Sequence, residues 1–276
     1  MFFGGHTREV GLQVHRALNR TRVCAWIGIK VKHSGTSSNS YAMLAFALAF
    51  FGFVAHAQTI SPVVVEYQER GEGKFELTNS SLQPLVVVLE PKSFSIAPDG
   101  AGMFRPLDPA IHVELSTMSV RLLPKQSYTV FYKAWADSLP QWFTIYASFS
   151  SPQRQPGLSV RIMLPHTVYL CQKKPLRKEA IMVSNVFFDQ DNHRITFDVE
   201  NHGAGYGRIR SAIASGGRES ADIGGFALLP GGLRHVAIPW SAHSAPQQLQ
   251  LRFDSFDLKS LVRPLVRGII ASGSTQ

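Results

Sequence analysis

Residues Gly157 to Pro175 read GLSVRIMLPHTVYLCQKKP. Val160, Ile162 and Leu164 alternate with Ser159, Arg161 and Met163. Side chains two apart on a strand point to the same face. The stretch is therefore a β-strand with a row of branched aliphatics along one face. It follows the proline-rich loop SSPQRQPG and ends at Lys173-Lys174-Pro175. Pro165 lies within it, removes one backbone donor and permits a shift of register. Met163 and Val168 offer the candidate inward residues. Val160, Ile162 and Leu164 are then spare and can be lent to another protein.

The segment before the first strand reads as a leader. Residues 42–53, AMLAFALAFFGF, are apolar and uncharged, and Val54-Ala55-His56-Ala57 has the small-x-small pattern of a signal-peptidase site. A run of 12 residues falls short of the roughly 20 that span a bilayer. The reading is a signal peptide cleaved after Ala57, with no stable membrane insertion afterwards. Residues 1–41 carry six basic side chains against the single acid Glu9, and they are set aside with the leader.

The whole chain has 28 Lys+Arg and 19 Asp+Glu, a formal +9. Without residues 1–57 the balance is 22 against 18, a formal +4. So small an excess argues against nucleic acid as a partner. Of the two cysteines, Cys24 lies in the leader, and Cys171 alone cannot form an intrachain disulfide. An exported chain without a disulfide relies on its hydrophobic core. Cys171 sits in a strand and reads as an inert, buried thiol.

Short β-rich runs recur along residues 58–276. Ile60–Gln68, Gly73–Asn79, Pro84–Glu90, Ile111–Leu115, Ser127–Tyr132, Trp142–Phe149 and Leu158–Gln172 form a first series, with turns such as ERGEG at 69–73 between them. Lys173–Glu179, KKPLRKE, reads as a linker. Ala180–Phe188, Arg194–Glu200, Tyr206–Ser215, Ala227–Leu229, Leu233–Ile238 and Gln248–Phe253 form a second series. The fold class is all-β, with two immunoglobulin-like β-sandwich domains after a cleaved signal peptide. The expected boundaries are 1–57 for the leader, 58–175 for the first sandwich and 176–270 for the second.

Signatures of catalysis are absent, so no enzyme and no cofactor are expected. The chain has no GxSxG elbow, no HExxH and no phosphate-binding loop. Gly203-Ala204-Gly205-Tyr206-Gly207 has the wrong spacing for a dinucleotide loop, and a turn is the better reading. Asp189, Asp191 and His193 alternate, but they lack the glycine and distal glutamate of a calcium loop. Asx-turn chemistry explains them, and no metal is expected. Trp135 and Trp142 read as packing residues.

The order of these features resembles the periplasmic pilus assembly chaperones, the PapD-like proteins of the chaperone–usher pathway. Arg121-Leu122-Leu123-Pro124 ahead of Gln126-Ser127-Tyr128-Thr129-Val130 resembles that family's R-L-x-P-G-x-S approach to its fifth strand. Leu139-Pro140 followed by WFTIYASF is similar to its Leu-Pro and sixth strand. Val160, Ile162 and Leu164 fall at its alternating donor-strand aliphatics. The resemblance covers residues 58–175 well and 180–265 loosely.

The resemblance implies a chaperone exported through the Sec pathway to the periplasm. Its partners would be pilin or fimbrial subunits and an outer-membrane usher. It would bind the subunits by donor-strand complementation, lending Val160, Ile162 and Leu164 to a subunit that lacks a strand. Backbone bonds would give affinity, and the alternate side chains would fill pockets. Three buried aliphatics would contribute on the order of 5–8 kcal/mol before ordering costs.

The family also anchors the subunit's terminal carboxylate on an Arg and a Lys. Register puts Val64 and Tyr169 at those positions, and neither is basic. Tyr169, Lys173 and Lys174 are the candidates left for that anchor, with Arg177 further along the linker. Gln141 and Trp142 replace the charged residues usual after Leu-Pro. The alternative is a secreted structural or adhesive Ig-like protein, in which the aliphatic row packs inside its own sandwich.

Overall fold

The computed structural model describes residues 58–152 and 161–265. The leader, the proposed cleavage site, most of the proline-rich loop and Val160 lie outside the described residues. In chain order the first strands are β1 (Thr59–Ser61), β2 (Val64–Gln68), β3 (Gly71–Thr78), β4 (Leu85–Ile96) and β5 (Gly102–Pro106). Then come β6 (Ile111–Leu115), β7 (Ser119–Leu122), β8 (Ser127–Ala136), β9 (Gln141–Ser150) and β10 (Ile162–Cys171). Beyond a short 3-10 turn at Lys178–Ala180 follow β11 (Ile181–Asp189), β12 (Arg194–Asn201), β13 (Gly207–Gly216) and β14 (Glu219–Leu228). The last four are β15 (Leu233–Pro239), β16 (Gln248–Arg252), β17 (Asp257–Leu261) and β18 (Arg263–Pro264).

These strands form two sandwiches. In the first, β1-β3-β8-β6 faces β2-β10-β9-β4-β5, with β7 also paired to β4. In the second, β15-β12-β11-β18 faces β14-β13-β16-β17. Each has its own core. Phe75, Leu77, Leu89, Leu122, Phe143, Ile145, Phe149 and Leu170 fill the first. Ile195, Phe197, Ile209, Leu249, Leu251 and Trp240 fill the second. Alternation produces this directly: in β9, Phe143, Ile145, Ala147 and Phe149 all point into the first core.

Several strands go beyond the sequence reading. β4 continues past Pro91 to Ile96, and β5 and β7 pair with it. β14 occupies ten residues where the sequence suggests only Ala227–Leu229. Its Gly224-Gly225 weakens the local β signal, yet Gly225 is needed, because a Cβ there would lie 2.4 Å from the Ile209 carbonyl oxygen. The linker is also not merely solvated, since Leu176 packs against the second core.

The chain crosses between sheets at its start. β1 pairs antiparallel with β3, and β2 then joins the opposite sheet, parallel to β10. β2 is short and pairs only with Thr167–Cys171 of β10. On the other side, β9 pairs with β10 continuously from Ile162 to Leu170. Ile162 to Pro165 therefore pairs with no second strand among the described residues, while β1 lies near and Pro62 bonds His166.

Candidate functional site: the open edge and the cleft below it

The ladder with β9 passes Pro165 without a shift of register. Thr167 donates its N–H toward the β2 side, to the Val63 carbonyl. Donors alternate sides along a strand, so the N–H of Met163 and the missing one of Pro165 also belong to that side. Pro165 thus lacks its donor on the open edge, where a proline costs no ladder bond.

Because the register holds, the sequence expectation about faces is corrected. Ile162 and Leu164 share the face of His166, Val168 and Leu170, and Met163 points away from it. Leu164 packs at the margin of the first core. Ile162, one step further along the same face, is 36% exposed, and Met163 is 44% exposed. The aliphatic row is not spare along its whole length. It begins inside its own sandwich and runs out past the end of the core.

His166 fixes the middle of β10. Its Nδ1–H donates to the Pro62 carbonyl at 2.6 Å, because a carbonyl can only accept. Nε2 of the neutral ring then accepts from the Tyr132 hydroxyl at 3.0 Å, and the Tyr132 oxygen accepts from the Tyr67 hydroxyl at 3.0 Å. The imidazole stacks on Phe75. Burial lowers the pKa of His166, which outweighs the bond to Pro62. It raises that of Tyr132.

The other face of β10 meets the second sandwich. Tyr169, 6% exposed, packs with Phe94, Tyr206, Ala227 and Leu229 between the two sandwiches. The Tyr169 and Tyr206 rings lie 4.7 Å apart, and the Trp142 indole donates to the Phe94 carbonyl. Gln172 bonds the backbone N–H and carbonyl of Tyr206, both at 3.0 Å. The glycine-rich turn at 203–207 makes room for this contact. A Cβ on Gly207 would lie 2.4 Å from Leu176 Cδ2. His235 adds a backbone bond to Pro98.

A charged cluster closes the junction. Glu66 of β2 accepts from the Tyr206 hydroxyl at 2.7 Å, from Arg208 Nε and from Arg210 Nη2 at 3.2 Å. Arg210 also forks onto Asp254, with Nε to Oδ1 at 2.5 Å and Nη2 to Oδ2 at 2.8 Å. Burial alone would raise the pKa of Glu66. The bonds from Arg208 and Tyr206 and the charges of Arg208 and Arg210 outweigh it and hold the carboxyl below its ordinary value. A cleft of about 350 Å³ opens beside this cluster, lined by Glu66, Arg208, Asp254, Gln172 and Lys173 among others.

Of the residues expected to anchor a carboxylate, Tyr169 is enclosed between the sandwiches. Its hydroxyl is pushed up to about 12 by burial. Lys173 lines the cleft and pairs with Glu69 at 3.3 Å, and Lys174 is exposed. Val64 is on the surface beside Thr167. Sequence reasoning missed Glu66, Tyr206, Arg208 and Arg210. The signal was the alternation of Tyr206, Arg208 and Arg210, which puts Arg208 and Arg210 on one face of β13 with Tyr206 just ahead of it.

Two further expectations concern other residues. Cys171 is half-buried, and burial raises its thiol to about 11. Asp189 shapes its turn by accepting from the Asn192 backbone and side chain. Among the described residues no group of three or more His, Cys, Asp or Glu side chains could hold a metal ion, and no helix is long and apolar enough to cross a membrane.

No family model and no curated protein matches this chain. Fimbrial chaperones are among the solved structures that it resembles. One is the class 5 fimbriae chaperone CfaA, at 10% identity and a TM-score of 0.45, over 76% of this chain and 100% of that one. Another is the Salmonella enterica SafA pilin in complex with the SafB chaperone, at 13% identity and 0.45, over 74% and 96%. The E. coli chaperone DraB follows at 12% identity and 0.44, over 74% and 98%.

Proposed function

We propose that this protein is a periplasmic chaperone that binds pilus or fimbrial subunits by strand addition at the upper half of β10 and hands them to an outer-membrane usher. Its leader directs export and is removed after Ala57. The observation that carries the reading is the unpaired edge from Ile162 to Pro165 beside an aliphatic row that outruns its own core. An unpaired edge is a template for another strand. A subunit lacking a strand gains backbone bonds from Met163 and the Pro165 carbonyl, and Ile162 with Val160 covers its exposed core. Tyr169, Lys173 and Lys174 remain candidates for contacts at the lower end.

The test is co-purification of the protein with a candidate subunit. Ile162→Glu is the clean variant, because Ile162 is partly exposed whereas Leu164 also serves the first core. Losing one buried aliphatic, worth about 1.5–3 kcal/mol, weakens capture at least tenfold. Undiminished capture by a folded Ile162→Glu protein would overturn the reading. A structural or adhesive sandwich protein is the second reading, and the packing of Leu164 into its own core favours it.

A further inference from the structure

The end of the first sandwich away from the second is built from loops. Residues 79–84 join β3 to β4, residues 123–126 join β7 to β8, and the loop from β9 to β10 leaves and returns there too. The pairs Thr78–Ser127, Leu85–Leu122 and Ile162–Phe149 set this common end. Leu82 is 76% exposed on the first loop and Leu123 56% on the second. Asn79 ties the two loops together. It is fully buried, and its Nδ2 donates to the carbonyls of Gln83 at 2.8 Å, Leu123 at 3.0 Å and Leu122 at 3.4 Å. Its Oδ1 accepts from the N–H and the hydroxyl of Ser81. The Leu123 N–H donates to the Gln126 side chain, and the Lys125 ammonium donates to the Ser80 carbonyl. The two leucines therefore stand on a braced base whose polar groups bond one another. Charge at this end has one sign. Residues 77–89, 115–132 and 138–172 contain no Asp or Glu, and their Lys and Arg residues are Arg121, Lys125, Arg154 and Arg161. Glu76, Glu90 and Glu114 lie further down their strands.

We propose that this end of the first sandwich docks reversibly on an anionic lipid bilayer, with Leu82 and Leu123 entering the interface and Arg121 and Lys125 meeting the headgroups. Buried apolar area and attraction of cations to anionic lipid are the two contributions that hold a peripheral protein at such a surface. Both are present here on adjacent loops. A lipid interface strips water from the backbone, so the polar groups that approach it need partners of their own. The Asn79 hub supplies them to the Gln83, Leu122 and Leu123 carbonyls and to the Ser81 N–H. An acidic protein fits less well, because these loops offer it few open backbone groups to pair with. The proposal does not rest on strand docking, since neither leucine belongs to β10.

The test is co-sedimentation of the chain beginning at Gln58 with vesicles of phosphatidylglycerol and phosphatidylethanolamine, and with vesicles of phosphatidylcholine alone. That chain holds both cores and lacks the apolar leader, which would bind lipid by itself. Wild type sediments with the anionic vesicles, stays in solution with the neutral ones, and is released as salt rises. Leu82→Gln combined with Leu123→Gln lowers the partition coefficient by about tenfold or more. Both side chains are exposed, so the fold is kept, and an unchanged melting temperature verifies this. Should the double variant fail to fold, Arg121→Gln carries the test and lowers the partition coefficient about fivefold. Leu261→Gln removes a leucine that is 75% exposed on the second sandwich and leaves binding unchanged. A wild type that ignores anionic vesicles overturns the proposal, and a protein whose occupant is an acidic partner behaves that way. So does a folded double variant that binds as wild type does, or a Leu261→Gln protein that loses as much.

Discussion

Thr167 donates its backbone N–H to the Val63 carbonyl at 2.7 Å, and this bond sets the direction of every second amide in β10. It puts the absent donor of Pro165 on the open edge. A proline in that position blunts an edge against unwanted pairing. Pro165→Thr restores the N–H without touching the ladder to β9. The expected outcome is greater self-association in analytical ultracentrifugation at an unchanged melting temperature. An unchanged monomer fraction would count against a protective role for Pro165.

The junction should respond to acid through Glu66. Its carboxyl is held below the ordinary value of 4.5, so it contributes stability above that pH and loses it as pH falls through the folded value. At neutral pH, Glu66→Gln should cost about 1–3 kcal/mol, because Arg208 keeps its half-buried charge without a partner. Urea titrations from pH 7 to pH 3 check this. The gap between wild type and Glu66→Gln narrows below pH 4.5 and persists above it.

His166 predicts a second pH dependence in a different window. Its folded pKa is lowered from 6.5, chiefly by burial, so the neutral ring stabilises the fold above 6.5. That contribution falls away as pH drops from 6.5 toward the folded value. His166→Gln should flatten stability between pH 6.5 and 5 relative to wild type. Urea midpoints measured across that range provide the check.

Removing the hydroxyl next to that ring isolates the buried hydrogen-bond chain. Tyr132→Phe leaves His166 Nε2 and the Tyr67 hydroxyl without a partner and should cost about 1–3 kcal/mol. Chemical denaturation at pH 7.5, where the ring is neutral, measures this loss apart from titration.

Lys125 has φ 62, in the left-handed region that glycine favours. A side chain there costs about 1–2 kcal/mol, part of which returns as the greater unfolded-state freedom of glycine. Lys125→Gly relieves that strain but gives up the bond from the Lys125 ammonium to the Ser80 carbonyl, so it should stabilise the protein by about 0.5 kcal/mol at most, measured by urea denaturation. The same position holds the glycine in the R-L-x-P-G-x-S pattern that Arg121–Ser127 resembles.

Alternation made much of the architecture legible. Phe143, Ile145, Ala147 and Phe149 announced an inward face, and so did Ile195, Phe197 and Val199. Strands that do not alternate apolar with polar were hidden: β14 has Gly224-Gly225 in its middle, and β5 is exposed throughout. The open edge could be seen as an aliphatic row, but its facing could not, because Pro165 allowed two registers. Only the bond from Thr167 to Val63 and the unbroken ladder to β9 decide between them. The carboxylate cluster was the least legible part. Glu66 and Arg208 are distant in sequence, and nothing local says that β2 and β13 meet.

One consequence follows from the two faces of β10. His166, Val168 and Leu170 point into the first core while Tyr169 points into the second sandwich. A slip by one residue would drive Tyr169 into the first core and swing His166 against Tyr206. The second sandwich therefore acts as a gauge on this strand, accepting a single register and rejecting its neighbours. A partner that paired with the upper half of β10 would inherit that alignment from a domain it need not touch.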